Sequence, residues 1–159
     1  RFHSLEDRPG LFLEYVSKLY SAGCRIDHAS IHTFENGGAY DWFKDHSTQP
    51  VMRLEWMLKQ EISNLNITEV KYVNVEVTSQ SSDDECVVTF RGKDQKGALL
   101  SAANALAKEN LEVKWARVHT WGRQIDDQFG VVLSPLHKKT LKQVIENLMA
   151  MVGVSRLKS

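Results

Sequence analysis

The chain has 159 residues, of which 42% are hydrophobic and 25% charged, a balance typical of globular domains and not of disordered chains. Lys plus Arg number 20 and Asp plus Glu number 20, so no net field attracts nucleic acid or an anionic lipid surface. No apolar run approaches the roughly 20 residues that a membrane-spanning helix needs. The two cysteines show no CxxC spacing, so the sequence predicts a cytoplasmic protein with reduced thiols.

The first half of the chain predicts the order strand, helix, strand, hairpin, strand and helix. Residues 2–5 predict a short strand, and apolar side chains after Gly10 recur on one face of a helix: Leu11, Phe12, Tyr15, Val16, Leu19 and Tyr20. Residues 26–34 predict the next strand. The residues Glu35 to Gly38 predict a tight hairpin, because asparagine and glycine supply positive φ. A second helix is predicted from about residue 52 to 63.

The middle of the chain predicts a strand followed by a polar loop. Residues 69–78 alternate between apolar and polar side chains, as one strand does when a single face is buried. Residues 79–85 are polar and lack this alternation. We therefore place a module boundary there, with a first module at 1–78 and a second at 79–159.

The second half repeats the first. Residues 86–91 predict its first strand, and after Gly97 the same helical offsets carry Ala98, Leu99, Ala102, Ala103, Leu106 and Ala107. Asn110 stands where the first copy has Gly23, and Asp127-x-Phe129 matches Asp41-x-Phe43. Its second helix is predicted from about residue 137 to 151. The chain is therefore interpreted as two diverged copies of one unit.

This order of elements predicts an α+β protein made of two ferredoxin-like βαββαβ modules, each an antiparallel sheet with both helices on one face. Exposed sheet edges must be paired or covered. The two copies are therefore expected to lie side by side in one larger sheet, or to pair with those of another chain as a homodimer.

The motif Asp7-Arg8-Pro9-Gly10 before a helix, the strand 26–33 and the Asp-Trp-Phe sequence at residue 41 closely resemble the ACT domain, a small-molecule-sensing module of amino-acid metabolism. The second copy, from Asp94 to Phe129, resembles it too. The resemblance covers nearly the whole chain. It implies the ferredoxin-like fold and a regulatory domain without catalytic residues of its own.

The tandem order and the strand at 69–78 are most similar to the C-terminal ACT pairs of bacterial PII uridylyltransferase/uridylyl-removing enzymes. That resemblance implies a glutamine-sensing fragment that follows nucleotidyltransferase and phosphohydrolase domains and acts on the PII nitrogen-signalling protein through them. It implies no cofactor for the fragment and Mg only for the catalytic domains. Because the chain begins at Arg1 and not at Met, we expect a piece of a longer protein. A parent such as an aspartokinase, or another ACT-repeat regulator, stays open.

The ligand-binding residues that the resemblance implies lie in the two loops before the helices and in one turn: Asp7, Arg8, Pro9, Gly10, Leu11, Gly23, Asp94 and Gly97. Glycine lets the backbone approach a ligand, and the free N–H groups of a helix start suit a carboxylate. Asp7 or Asp94 is then placed to meet the ammonium group. The alternative is that each Asp caps its helix or turn and each Gly only turns the chain. The first loop is the expected principal site, because Gln95 and Lys96 depart from the motif.

Other chemistry receives little support from the sequence. His32 and His119 occupy equivalent positions but have no Cys, Asp or Glu at ligand spacing, so no metal site is predicted. A Cys24 and His28 nucleophilic pair is less favoured than core packing. Four tryptophans exceed what the core of a chain this size needs, so any that face outward indicate a contact with another domain. A docking or dimerisation module without a ligand is the competing function.

Overall fold

The computed structural model describes residues 1–4, 10–34, 37–45, 50–61, 70, 72, 74–79, 85–133 and 139–152. The elements in chain order are β1 (Phe2–Ser4), α1 (Leu11–Ser21), β2 (Ile26–Thr33), β3 (Ala39–Asp45), α2 (Val51–Leu58), β4 (Asn74–Ser79), β5 (Glu85–Lys93), α3 (Ala98–Lys108), β6 (Leu111–Trp121), β7 (Gln124–Leu133) and α4 (Leu141–Val152). The predicted α+β class is confirmed, and the architecture is compatible with two ferredoxin-like modules.

The described strands form one antiparallel sheet in the order β1-β3-β2-β6-β7-β5-β4. Strands β2 and β6, which are equivalent in the two copies, pair with each other at the centre, with His28 opposite His119 and His32 opposite Trp115. Of the two expected arrangements, the side-by-side sheet within one chain is therefore the one observed.

The core lies between one face of this sheet and the helices. Phe12 and Val16 of α1 are buried with Leu100 and Leu106 of α3, as their helical spacing predicts. The strands contribute alternate side chains to the same core, and Phe90 and Phe129 are fully buried there in edge-on ring contact. Both halves of the chain share this single core.

The turns of the two copies have matching backbone conformations. Gly10 and Gly97 are the N-caps of α1 and α3, with φ of 83° and 87°. After each helix, Gly23 and Asn110 are also left-handed, with φ of 80° and 53°. Asparagine tolerates this conformation better than most residues, so the substitution at 110 preserves the turn as predicted.

The second helices are shorter than predicted. Helix α2 ends at Leu58, where the prediction was about residue 63. Helix α4 begins at Leu141, and the described residues Lys139 and Thr140 precede it. The amide of Gln143 donates to Oγ1 of Thr140 over 3.4 Å, and the amide of Thr140 donates to Oε1 of Gln143 over 2.9 Å. This reciprocal capping fixes the start of α4 at that turn.

Strand β4 pairs with β5 from Asn74 to Ser79 and so forms the outer edge of the half of the sheet that belongs to the second copy. Within that half the order β6-β7-β5-β4 follows the ferredoxin-like pattern, with β4 in the place of the fourth strand. The division of the chain at residue 79 stays a prediction.

Gly130 makes close packing possible on the open face of the sheet. A Cβ atom at this position would lie 1.9 Å from Nε1 of Trp115, whose ring covers the glycine from the neighbouring strand β6. No real Cβ contact is that short, so a side chain here would displace the indole. The absence of a side chain at 130 is therefore a packing requirement.

We expect Gly130→Ala to destabilise the protein by about 2 kcal/mol, as overpacking does, although alanine normally favours a strand over glycine. Urea unfolding measures this change. Trp115→Leu provides the matched background, because removing the indole should make Gly130→Ala nearly neutral in the double variant. Equal costs of Gly130→Ala in both backgrounds would contradict the packing explanation.

Candidate functional site

A cavity of about 410 Å³ lies where the two copies meet on the helical side of the sheet. The first copy contributes the end of α1 and the turn into β2, and the second contributes the loop between β5 and α3 and parts of β6 and β7. The lining includes Tyr20, Gly23, Cys24, Arg25, Asp94, Lys96, Gly97 and Asp127. This volume falls in the roughly 300–1,000 Å³ range of small-molecule sites.

The start of α3 forms one wall of the cavity. Gly97 caps the helix without any side-chain hydrogen bond, and the amide of Ser101 already donates to its carbonyl over 2.8 Å. Within the described part of the chain, no backbone carbonyl outside the helix accepts from the amides of Leu99 or Leu100, which also line the cavity. Free amides at a helix N-terminus attract anions, and a carboxylate is such a group.

An ion pair between the copies stands beside this wall. Nη2 of Arg25, in the turn after α1, lies 2.5 Å from Oδ2 of Asp94, in the loop before α3. The Arg25 side chain is mainly exposed and Asp94 is partly buried. Asp94 does not cap α3, because the cap position is Gly97 three residues later. The helix-capping part of the alternative is therefore wrong for Asp94, and the turn-capping part stays a prediction.

Asp127 of β7 is the most deeply buried charged residue of the lining, with 1% of its surface exposed. Its Oδ1 accepts a hydrogen bond from the amide of His119 over 3.2 Å. The pKa of Asp127 is raised to about 7, mainly by burial. The hydrogen bond from the amide of His119 lowers this pKa, and the nearby carboxylates of Asp126 and Asp94 raise it. A buried carboxylate with this pKa in a cavity wall is a candidate functional group.

The predicted site residues are only partly brought together. Gly23, Asp94 and Gly97 line the cavity, whereas Gly10 is exposed and Leu11 is buried, and neither lines it. Asp7, Arg8 and Pro9 lie outside the described residues. Their role as ligand contacts, and the preference for the first loop, stay predictions.

Two ionisable residues of the lining, Arg25 and Asp127, were not predicted as site residues from the sequence. Asp127 was recognised only as a marker of the repeat, matched by Asp41 in the first copy. A signal was present, since both aspartates fall on the buried, otherwise apolar side of their strand. A carboxylate kept twice at a buried strand position is unusual and indicates a specific use.

The other chemical candidates remain apart. The ring of His28 packs edge-on against that of His119, with centroids 4.6 Å apart, on the open face of the sheet. Cys24 lines the cavity and is half-buried, where core packing was predicted; Cys86 is buried as predicted, and neither cysteine forms a disulfide. The described residues contain no cluster of three potential metal ligands. None of their helices has the length and apolar character to span a membrane.

Comparison with known proteins gives one consistent result. No protein-family profile matches the chain. The chain is similar to the bifunctional uridylyltransferase/uridylyl-removing enzyme of Rhodospirillum rubrum, with 27% identity over 177 aligned residues that cover 92% of this chain and 19% of the relative. The enzymes of the same name from Gluconobacter oxydans and Azospirillum brasilense are each 26% identical and cover 79% and 90% of this chain. The chain spans about a fifth of the length of these relatives.

The predicted resemblance to uridylyltransferase/uridylyl-removing enzymes is therefore confirmed. It extends over most of the chain and over a small part of each relative, as expected for a fragment.

The raised pKa of Asp127 predicts a pH dependence of stability. The folded chain keeps the Asp127 proton up to about pH 7, whereas the unfolded chain loses it near the ordinary aspartate pKa of 3.8. The free energy of unfolding should therefore fall as pH rises through this window. Asp127→Asn should lack this loss. Between about pH 5 and about pH 8, its free energy of unfolding should therefore increase by on the order of 3 kcal/mol relative to that of the wild type.

Urea unfolding of both proteins at the two pH values measures the difference. Glu76→Gln is the control, because Glu76 is an exposed carboxylate on β4 that pairs with Arg91 far from the cavity. If the free energies of unfolding of Asp127→Asn and the wild type differ by the same amount at both pH values, Asp127 titrates normally.

Proposed function

We propose that the chain is the amino-acid-sensing regulatory part of a uridylyltransferase/uridylyl-removing enzyme and that it binds glutamine in the cavity between its two copies. Through the catalytic domains of the parent enzyme it would control uridylylation and deuridylylation of the PII signalling protein. The fragment itself carries out no reaction in this proposal. The observation that carries it is the cavity built from both copies, in a chain that is similar to these enzymes.

The cavity has the groups that a free amino acid requires. The open amides at the start of α3 suit the α-carboxylate. Acidic side chains in the same lining suit an ammonium group, and Tyr20 with the apolar residues Val16, Leu99, Leu100 and Val118 suits the aliphatic part of the ligand. Few polar groups in a mainly apolar wall are typical of small-molecule sites.

In this proposal, the position of the cavity lets ligand binding act on the parent enzyme through the contact between the two copies. Its walls belong to different copies, and the Arg25 to Asp94 ion pair crosses between them. A ligand that contacts both walls favours the arrangement in which they are closest. Such a ligand shifts the equilibrium of the parent enzyme only by its difference in affinity for the two arrangements.

A docking module without a ligand is the second candidate, and one observation favours it. Trp56 and Met52 on α2 and Trp121 at the end of β6 are large apolar side chains that are mainly exposed. Exposed aromatic residues are enriched where proteins meet. In this alternative the chain joins the catalytic domains of the parent or a second subunit.

We expect L-glutamine to raise the melting temperature of the chain more than glutamate, serine, lysine or 2-oxoglutarate. A ligand at about 100 times its Kd adds about 2.7 kcal/mol, which corresponds to several degrees for domains of this size. Differential scanning fluorimetry with millimolar ligands measures the shift.

Cys24 allows a control at the cavity itself. Cys24→Trp places a large ring in the cavity and should abolish the shift, whereas Cys24→Ser keeps the space open and should preserve it. If no amino acid moves the transition of the wild type or of the full-length parent, the docking alternative is the better account. Equal shifts in the Trp and Ser variants would place the ligand elsewhere.

A further inference from the structure

The cavity contains a carboxylate that no basic side chain of the described residues neutralises. Asp127 has one oxygen held by the amide of His119, and within the described chain no residue donates a hydrogen bond to its other oxygen, Oδ2. Asp127 lies in the cavity wall and is almost completely buried. A buried carboxylate normally has a cation or several hydrogen bonds to offset the loss of water.

The basic residues near the cavity are engaged elsewhere. Arg25 pairs with Asp94, and Nζ of Lys96 lies 5.8 Å from the centre of the Tyr20 ring. On the opposite face of the sheet, Arg91 pairs with Asp126, the chain neighbour of Asp127. None of the ion pairs between described residues includes Asp127. The position for a cation beside Oδ2 is therefore left to something that enters the cavity.

We infer that Asp127 binds the ammonium group of the ligand and so makes the cavity select amino acids over carboxylic acids that lack an amine. This inference rests on the proposed function and identifies a specificity-determining residue within that site. Asp94, the residue of this cavity that the sequence suggested for the ammonium group, already has Arg25 as its partner. The start of α3 remains available for the carboxylate of the same ligand.

The inference includes a pH dependence of binding. The other titratable groups of the lining are Asp94, Arg25, Lys96, Cys24 and Tyr20. Outside the lining, Tyr72 before β4, whose pKa is itself raised by burial and by Asp127, and Asp126, on the opposite face of the same strand, interact electrostatically with Asp127. Because the surroundings favour the protonated acid below about pH 7, an ammonium group must displace that proton. Affinity should therefore rise up to tenfold per pH unit as pH approaches about 7, and level off above it.

Isothermal titration calorimetry of the whole chain tests the inference with L-glutamine and with 4-carbamoylbutanoate, which is glutamine without its amine. The wild type should bind glutamine at least about tenfold more tightly than this analogue at about pH 8, from the strength of a charge-assisted hydrogen bond. Asp127→Asn should lose about 10–100-fold in affinity for glutamine, lose its pH dependence below pH 7 and leave the affinity for the analogue unchanged. Glu76→Gln should behave as the wild type.

The outcomes separate this inference from the proposed function. If the wild type binds neither glutamine nor another amino acid, the proposed function fails, and this inference fails with it. If the wild type binds glutamine but Asp127→Asn, folded by far-ultraviolet circular dichroism, binds it equally, only the role of Asp127 is wrong. The comparison of glutamine with its analogue in the wild type needs no variant, so equal affinities there would overturn the inference even if Asp127→Asn did not fold.

Discussion

The pairing of β2 with β6 is the interaction on which the rest of the structure depends. Separate modules would each leave one edge strand exposed, and an exposed edge of this length pairs with other chains. Joining the two edges closes both and gives the copies one sheet and one core. It also brings the end of α1 next to the start of α3, which lie in opposite halves of the chain. The cavity exists because these two helix ends meet.

The same pairing explains why two turns from different copies meet in the lining. The left-handed Gly23 follows α1, and the left-handed Gly97 begins α3. The loop side chains are then free to reach across, as Arg25 does toward Asp94. A Cβ atom at Gly97 would lie 3.3 Å from the Tyr20 ring of the other copy. Close approach of the two halves therefore depends on glycine at this position for both conformation and space.

Much of the fold follows from local patterns that the sequence displays. The helical faces of α1 and α3, the hairpin at Gly37 and the left-handed Asn110 are fixed by residue type and spacing, and they are found where predicted. The later start of α4 depends on the reciprocal hydrogen bonds between Thr140 and Gln143, which the apolar spacing of the helix does not reveal. The edge position of β4 depends on long-range pairing, which local patterns do not contain.

The candidate site was less predictable for the same reason. Gly23, Asp94 and Gly97 were expected from a motif, and they meet in one cavity. Arg25 and Asp127 were not expected as site residues, because their importance comes from neighbours far away in the sequence. Arg25 acquires its role only when α1 and the loop before α3 come together. The burial of Asp127 depends on the core that both copies share.

The divergence of the two copies bears on how many ligands such a chain can hold. By the offsets of the repeat, the equivalent of Arg25 in the second copy is Glu112, whose carboxylate lies 2.5 Å from Nζ of Lys114. By the same offsets the equivalent of Asp94 is Asp7, which lies outside the described residues, so the sequence replaces the Arg25 and Asp94 pair with two acids. Two acids repel where an acid and a base attract. The repeat has therefore kept its buried aspartates, Asp41 and Asp127, while changing the charges at the surface, and the two positions are chemically different. Under the proposed function, two unequal sites, or a single site, follow from that difference more readily than two identical sites.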